Sequence, residues 1–433
     1  MSLAPPESVR TLQKKLYIKA KENPQYRFYA LYDKVYREDI LAHAYRVCRV
    51  NGGAAGVDGE TFEDIETSGR EAWLLKRQED VRNKTYKPNA VRRVMIPKAG
   101  GGERPLGIPT ITDRVVQTAA KLVLEPIFEA DFEDCAYGYR PERSGIDAVK
   151  AVHEALRSGY TDVVDADLSK YFDTIPHHDL LQSVARRVSD PHMLKLIKGW
   201  LKVPVEERDE RGNRRMTGGK RAKLGTPQGG VISPLLANIY MHRYLRHWRQ
   251  QGRGQAFRAR IVNYADDFVI LSRGYAVEAM AWTQRVMERL GLKLNTTKTR
   301  LVNAKTEPFD FLGYTFGPEV FRKTGAMYTA AQPSRKSCDR VKERVATLLS
   351  IRNPQLWEEV LAGLNQTLRG WAGYFHYGST ALAYREIDHY VVDRVWLLLR
   401  RRRRLRKRRH RFSPREVFGK LGVLSLRELA AAR

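Results

Sequence analysis

The clearest pattern along the chain is a set of short apolar runs, rich in β-branched residues, that carboxylates interrupt. TDVVDAD (residues 161–167) and RIVNYADDFVILS (residues 260–272) have the length and composition of β-strands. YADD divides the second run, which predicts two strands joined by a tight turn carrying Asp266 and Asp267. In the first run Asp165 and Asp167 are two residues apart, so they are expected on one face of a strand.

Glycine-rich and periodic segments predict the other elements. The first 50 residues look helical, and NGGAAGVDGE (residues 51–60) reads as a loop. The strand-like segments on either side of AGGGE (residues 99–103) predict a hairpin, and the charged residues 206–225 predict a second, exposed one. From residue 354 to about residue 399 the apolar spacing becomes helical and predicts two amphipathic helices.

The chain is strongly basic, with 77 Lys and Arg residues, 49 Asp and Glu residues and a net charge of +28. Such an excess repels itself unless a polyanion neutralises it, and nucleic acid is the usual one. It is most concentrated in residues 400–411, where ten of twelve residues are Lys or Arg. A charge run is usually a solvated tail, and charge alone does not separate an enzyme from a passive RNA-binding protein.

Cysteine usage and hydropathy narrow the class. Cys48, Cys135 and Cys338 are scattered, so no CxxC pair is present for a zinc ribbon or a disulfide framework. The segment MSLAPPESVR lacks an apolar core, and no apolar run approaches the roughly 20 residues that span a bilayer. We therefore expect a protein of the bacterial cytoplasm, without membrane partners and associated with the nucleoid when bound to DNA.

The carboxylates suggest metal chemistry. Adjacent like charges at the tip of a hairpin repel each other unless a cation neutralises them, although Asp is also favoured in ordinary turns. With another carboxylate from residues 165–167, a pair of Mg²⁺ ions could be held by side-chain oxygens and substrate phosphates. Two-ion sites serve polymerases and nucleases alike. The spacing does not say which.

The chain resembles the reverse transcriptases encoded by group II introns. The matching blocks run in the family's order through nearly the whole chain: residues 92–129 and AYGYRPERSGIDAV (136–149) in the fingers, DADLSKYFDTIPH (motif A), LGTPQGGVISPLLANIYM (motif B), YADD (motif C), GLKLNTTKT and FDFLGYTF (motifs D and E), and NQTLRGWAGYF (365–375) in the thumb or maturase domain. The resemblance implies an α+β right-hand polymerase fold.

The resemblance also implies domain limits. We expect an amino-terminal extension over residues 1–70, fingers and palm over 71–330, a helical thumb over 331–399 and a basic nucleic-acid-binding segment over 400–433. Longer family members continue into a zinc-dependent HNH endonuclease with paired cysteines. The chain reaches Arg433 without such a pair, so it resembles the compact intron proteins that borrow an existing DNA 3′ end.

The resemblance assigns the catalytic residues one by one. Asp167, Asp266 and Asp267 would be the catalytic carboxylates and would hold two Mg²⁺ ions, or Mn²⁺ in their place, together with the carbonyl of Leu168. Asp167 is preferred to Asp165 because the family's ligand directly precedes an apolar residue, here Leu168.

A second set of residues matches positions that contact the incoming dNTP. These are Lys98, Arg104, Phe172, Gln228, Gly229 and Lys298. Lys98 and Arg104 would hold the triphosphate, Phe172 would exclude a 2′-hydroxyl by steric contact, and Lys298 would be a proton donor near pyrophosphate. Without the resemblance, Phe172 reads as a core aromatic of a helix and Lys298 as an exposed lysine.

Three other groups need a prediction. The basic run is expected to bind intron RNA or target DNA through Arg400, Arg401, Arg402, Arg403, Arg404, Arg406, Lys407, Arg408, Arg409 and Arg411. The aromatics Trp371, Tyr374 and Phe375 have helical spacing and are expected to pack in a core rather than to stack on bases. His177 and His178 lack partners at ligand spacing and are expected to be polar surface or turn residues.

Three functions remain open from the sequence. The first is an RNA-directed DNA polymerase of a mobile intron, which uses template RNA, a DNA primer and dNTPs and also acts as a maturase in splicing. The second is a reverse transcriptase adopted by its host for antiviral defence, CRISPR spacer acquisition or repair. The third is a splicing cofactor with a dispensable polymerase, which the intact YADD argues against.

Overall fold

The computed structural model describes residues 3–97, 103–208, 213–227, 229–320, 324–402 and 412–431. Helices and strands both contribute, and the strands form three separate sheets. Within the described ranges, no helix is both long and apolar enough to cross a membrane.

The amino-terminal part is helical, as predicted, and packs on one buried helix. Its helices are α1 (Glu7–Glu22), α2 (Tyr32–Val35), α3 (Glu38–Asn51), α4 (Phe62–Ser68) and α5 (Arg70–Arg82). Of these, α1, α2 and α3 contact α6 (Ile111–Glu129), which is almost entirely buried. Thr110 starts α6 by accepting a hydrogen bond from the backbone N–H of Asp113. These helices share the largest hydrophobic core with the palm.

Both predicted hairpins are confirmed, and together they make the fingers sheet. β1 (Val91–Pro97) pairs antiparallel with β2 (Glu103–Ile108), and β4 (Pro204–Arg208) with β5 (Arg214–Gly218). A short parallel pairing of β1 with β4 joins the hairpins in the order β2-β1-β4-β5. The second hairpin is reached from the palm through α10 (Pro191–Leu201).

The palm is an antiparallel sheet covered on both faces. β3 (Asp162–Asp167), β6 (Ala259–Tyr264), β7 (Asp267–Ser272) and β8 (Arg300–Asn303) take the order β6-β7-β3-β8. Val164 and Ala166 of β3 belong to the large core, which also contains residues of α11 (Ser233–Gln250) and α13 (Ala276–Arg289). Val163 faces the opposite core, which α7 (Gly145–Arg157) covers. Successive residues of β3 therefore pack into the two cores on opposite faces of the sheet.

Three short helices complete the palm. They are α8 (Tyr171–Thr174), α9 (His177–Ala185) and α12 (Arg253–Ala256). At the start of α9 the prediction for His177 was wrong, since the residue is buried and its Nε2 lies 2.6 Å from the carbonyl oxygen of Gly225. The adjacent His178 is exposed, as expected.

A third sheet connects the palm to the thumb. It contains β9 (Phe309–Phe311), β10 (Tyr314–Val320) and β11 (Met327–Pro333), all antiparallel. The thumb helices follow as α14 (Arg335–Leu348), α15 (Trp357–Tyr374) and α16 (Ala381–Arg402), so both predicted amphipathic helices are confirmed. The rings of Trp371 and Phe375 are in contact, with centroids 4.8 Å apart and planes tilted by 33°, and the core prediction for this aromatic group is confirmed.

The carboxyl-terminal residues 412–431 fold back onto the thumb. Phe412, Val417 and Leu426 are buried in the same hydrophobic cluster as α14, α15 and α16. The last helix, α17 (Leu426–Ala431), begins where the buried Asp388 carboxylate of α16 accepts a hydrogen bond from the backbone N–H of Leu426 at 2.9 Å. The basic run is thus followed by a segment that belongs to the thumb core.

Candidate active site

Strand pairing brings the carboxylates of two distant segments together. In the register of β3 with β7, Asp167 lies opposite Asp267. Residues directly opposite each other on antiparallel strands have Cβ atoms roughly 4.5–5.5 Å apart. The β6–β7 hairpin closes at the same place, because Tyr264 also pairs with Asp267 and only Ala265 and Asp266 lie in the turn. Asp167, Asp266 and Asp267 therefore meet at one end of the palm sheet.

The β6–β7 turn is strained and supported by the palm itself. Ala265 has a positive φ of 58°, a conformation that costs free energy in a residue with a Cβ atom. The buried Asn263 side chain donates a hydrogen bond to the Ala265 carbonyl at 2.9 Å. Gly138 packs against the turn so closely that a Cβ atom there would lie 2.5 Å from the Ala265 nitrogen. The two contacts hold the carboxylates in one position.

The electrostatics of the site reflect an excess of negative charge. Burial and the charges of Asp266 and Asp167 raise the pKa of the Asp267 carboxyl to about 7, against an ordinary value of 3.8. Asp267 still contacts solvent at the open side of the palm, so water screens part of the repulsion. Burial also raises the pKa of Asp165, which is partly offset by a hydrogen bond from Arg300 Nε at 3.2 Å.

Both carboxylate oxygens of Asp167 have partners on the segment after α13. Asn295 Nδ2 donates to Oδ2 at 3.0 Å, and Lys298 Nζ lies 3.3 Å from Oδ1. The backbone N–H of Asn295 also donates to the Asp167 carbonyl, at 2.8 Å. The sequence reasoning singled out Lys298 but missed Asn295, although the GLKLNTTKT block contains both. A polar residue three positions before the lysine was the available signal.

The carbonyl of Leu168 is oriented by a neighbouring bridge. Leu168 pairs antiparallel with Leu294, and the hydrogen bonds of this bridge are made by the flanking residues, from Ser169 N to Lys293 O and from Asn295 N to Asp167 O. In such a pair the groups of the central residue point to the other side of the strand. The Leu168 carbonyl is therefore directed to the side on which β7 lies.

The segments beside the carboxylates are tied to each other by backbone contacts. Phe172 is 9% exposed, its ring lies 6.4 Å from that of Tyr139, and its carbonyl accepts a hydrogen bond from Thr226 N at 2.7 Å. Gly229 has a φ of 101°, and a Cβ atom there would lie 2.0 Å from the carbonyl oxygen of Gly107 in β2. Thr226 thus contacts the palm and Gly229 the fingers sheet, the latter at a contact that only glycine allows.

Other predicted residues are seen in part or lie outside the described residues. Lys98 and Gln228 are outside them, as are Arg403, Arg404, Arg406, Lys407, Arg408, Arg409 and Arg411. Arg104 is in β2, where its backbone pairs with Ile96, and Arg402 is the last residue of α16. Arg400 and Arg401 are exposed on α16, with the Arg400 guanidinium 4.9 Å from the centre of the Trp396 ring.

The predicted metal needs a test against this geometry. In the part of the chain that the structure describes, no three His, Cys, Asp or Glu side chains form a group that could hold a metal ion. The donor chemistry nevertheless suits a hard cation, since the residues are carboxylates and the charges of Asp266 and Asp167 raise the pKa of Asp267. Asp167 would exchange Lys298 for the cation, and the remaining ligands would come from water and substrate phosphates.

Comparison with known protein families matches two parts of the chain. Residues 96–316 match the family described as "Reverse transcriptase (RNA-dependent DNA polymerase)". Residues 338–415 match the family described as "Group II intron, maturase-specific domain". The first match contains all three carboxylates and the second contains α15 and α16.

Individual relatives point the same way. The chain is 33% identical to protein YkfC of Escherichia coli (strain K12) over 381 residues, which cover 79% of this chain and 97% of YkfC. It is 35% identical over 226 residues to the group II intron-encoded protein LtrA of Lactococcus lactis subsp. cremoris, which cover 52% of this chain and 36% of LtrA. The chain thus spans nearly all of one relative and about a third of the other.

A third relative and a solved structure are more distant. The uncharacterized 91 kDa protein in the cob intron of Schizosaccharomyces pombe is 25% identical over 344 residues, 65% of this chain and 40% of that protein. Telomerase from Candida albicans superposes with a TM-score of 0.43 at 13% identity, over 84% of this chain and 69% of that one.

Proposed function

This chain belongs to the reverse transcriptases of group II introns, with an RNA-directed DNA polymerase domain and a maturase domain, and from that premise we propose how its residues perform the reaction. The family binds an RNA template, uses a DNA primer and depends on a divalent metal. We propose that this chain adds dNTPs to the primer at a site holding two Mg²⁺ ions, with Mn²⁺ as a possible substitute.

The observation that carries the proposal is the strand register, with Asp167 opposite Asp267 and Asp266 in the adjoining turn. These carboxylates would hold the metal ions with the Leu168 carbonyl. When bound, the ions would activate the primer 3′-hydroxyl and neutralise the leaving pyrophosphate. Asn295 would orient Asp167 through its Nδ2 hydrogen bond, as outer partners of metal ligands do.

The neighbouring residues would select and hold the nucleotide. Phe172, whose carbonyl accepts a hydrogen bond from the backbone N–H of Thr226, would block a 2′-hydroxyl. Gly229 would allow the backbone to approach the nascent base pair. Lys98 and Arg104 would neutralise the triphosphate, and Gln228 would pack on the base pair. Lys298, whose Nζ lies 3.3 Å from Asp167 Oδ1, would give a proton to the departing pyrophosphate.

The maturase role would use the thumb. We propose that α15 and α16, with the exposed Arg400 and Arg401 at the end of α16, bind the parent intron RNA and support its splicing. This role requires RNA binding but no carboxylate.

Primer extension tests the proposal. With purified protein and Mg²⁺, dNTPs should be incorporated on an RNA template, and Asp266→Asn should abolish incorporation while RNA affinity stays near that of the wild type. Asp165→Asn is the matched control, because Asp165 shares the strand face of Asp167 but pairs with Arg300. Retained synthesis in Asp266→Asn would refute the metal assignment.

The sugar selection has its own test. Phe172→Ala should allow incorporation of ribonucleotides on the same template, because the ring that would contact the 2′-position is removed. Tyr171→Phe is a suitable control, since Tyr171 is the neighbouring buried aromatic, the substitution keeps its ring, and its hydroxyl bonds to the Ala237 carbonyl. If Phe172→Ala discriminates as strongly as the wild type, another residue selects the sugar.

A further inference from the structure

Tyr374, the last residue of the thumb helix α15, reaches out of the thumb and into the palm. Its hydroxyl donates a hydrogen bond to the carbonyl of Leu312 at 2.9 Å. Its ring packs against Phe375 and Tyr314, with centroids 4.8 Å and 5.9 Å away. Burial, and to a lesser extent the neighbouring Tyr264 of the catalytic hairpin, raise the pKa of Tyr374 to about 12. The hydroxyl therefore stays protonated and remains a donor.

The acceptor of this bond is a strained turn. Leu312 and Gly313 join β9 to β10, and both have positive φ, at 49° and 81°. Leu312 has no glycine-like freedom, so contacts elsewhere must hold it in this conformation. The thumb supplies them: Gly313 O accepts hydrogen bonds from Ser334 N at 2.8 Å and Ser337 Oγ at 3.0 Å, while Leu312 O accepts from Tyr374.

A second palm segment is fitted to the same hydroxyl. Gly145 begins α7, and a Cβ atom on it would lie 3.0 Å from Tyr374 Oη and 3.3 Å from the edge of the ring. Gly138, seven residues earlier in the same stretch of chain, is the residue that packs on the Ala265 nitrogen of the catalytic turn. The Tyr374 hydroxyl thus lies between the β9–β10 turn and the start of α7, near Tyr264.

We propose that Tyr374 is a positioning residue that fixes the thumb to the catalytic hairpin, through Leu312 on one side and the start of α7 on the other. The residue takes no part in the chemistry. It holds the thumb helices α15 and α16 in register with Asp266 and Asp267. This inference rests on the proposed polymerase function, and misplacement of reacting groups by about 1 Å can cost roughly 100-fold in rate.

The first test removes the hydroxyl group from each of two tyrosines. Tyr374→Phe removes the bond to Leu312, whereas Tyr384→Phe removes an equivalent bond, 2.7 Å long, from Tyr384 to the Phe375 carbonyl inside the thumb. We expect Tyr374→Phe to lower the maximal extension rate about tenfold, with RNA affinity and dNTP KM unchanged. Tyr384→Phe should stay within about twofold of the wild-type rate.

The second test uses the glycine that fits the hydroxyl. Gly145→Ala should slow extension as Tyr374→Phe does, because its methyl group displaces the hydroxyl. Alanine is otherwise well tolerated in a helix. In the double variant the hydroxyl is absent and the methyl group has room, so the rate should be no lower than in Tyr374→Phe alone. Multiplying effects in the double variant, or a normal rate in Tyr374→Phe, would overturn the proposal.

Hydrogen exchange gives a readout that does not depend on activity. Tyr374→Phe should speed amide exchange in residues 309–316, and Tyr384→Phe should not. If the wild type extends primers and neither the rate nor the exchange responds to Tyr374→Phe, the positioning role is wrong. If the wild type does not extend primers at all, the polymerase proposal fails, and exchange still decides whether Tyr374 holds the turn.

Discussion

Two short turns in this molecule have the same length but different supports. The β6–β7 turn (Ala265 and Asp266) and the β9–β10 turn (Leu312 and Gly313) each join antiparallel strands, and each contains a non-glycine residue with positive φ. The first is held by Asn263 of β6 and by Gly138, which lies in the segment that leads into α7 on the palm sheet. The second is held by thumb residues, among them Tyr374 and Ser337. The comparison indicates that contacts within the palm position the carboxylates, whereas the conformation of the β9–β10 turn depends on the position of the thumb.

The largest effect should follow from disturbing the palm's own support. Gly138→Ala would place a Cβ atom 2.5 Å from the backbone nitrogen of Ala265, so the catalytic turn must move. We expect the extension rate to fall roughly 100-fold. Gly373→Ala is the control, because a Cβ atom there meets nothing within 4 Å and lies on an exposed face of α15. A Gly138→Ala enzyme with normal rate would show that the turn is not held at this contact.

Disturbing the β9–β10 turn should lower the extension rate less than Gly138→Ala does, and should weaken the packing of the thumb on this turn. Gly313→Ala adds a Cβ atom at a φ of 81°, 3.0 Å from Ser337 Oγ and 3.2 Å from the Phe375 ring. We expect a loss of about 1–3 kcal/mol in the free energy of unfolding and a rate loss of about tenfold. Denaturant unfolding measured beside primer extension checks this. An effect on rate as large as that of Gly138→Ala would mean that the two turns are not independently supported.

A smaller effect should appear in the pH dependence of stability. Because the pKa of Asp267 is raised to about 7, the charged carboxylate opposes folding above that pH. The penalty fades as the pH falls towards about 4, where the carboxyl is protonated in both the folded and unfolded states. Without metal, Asp267→Asn should therefore raise Tm above pH 7 by on the order of 2 °C, and the gain should vanish near pH 4. A pH-independent gain would contradict the shared-charge explanation.

The smallest effect should come from relieving strain without moving the turn. Ala265→Gly removes the Cβ atom that disfavours a φ of 58°, but glycine also loses more backbone entropy on folding. We expect the free energy of unfolding to change by less than about 1 kcal/mol, as measured by urea titration. A large loss of stability would show that the Ala265 methyl group has packing contacts that outweigh its strain.

Local sequence signals were sufficient for the elements but not for their supports. The carboxylate-bearing strands, the fingers hairpins and the thumb helices follow from apolar periodicity and turn residues, and the structure confirms them. His177 was misjudged because its burial depends on a carbonyl 48 positions later in the chain. Asn295 was missed because its position three residues before Lys298 is a weak signal until its partner, Asp167, is known.

The sequence by itself determined which residues could form strands, that Asp165 and Asp167 share one face of a strand, and that two adjacent carboxylates lie where a hairpin turns. It also determined the strong positive charge that suits a nucleic-acid partner. Only the tertiary structure decided that β7 pairs with β3 in the register that sets Asp267 beside Asp167, and that Tyr374 meets Leu312 and Gly145. The physical reason is that periodicity is a property of neighbouring residues, whereas register and close packing depend on contacts between segments about 60 to more than 200 residues apart.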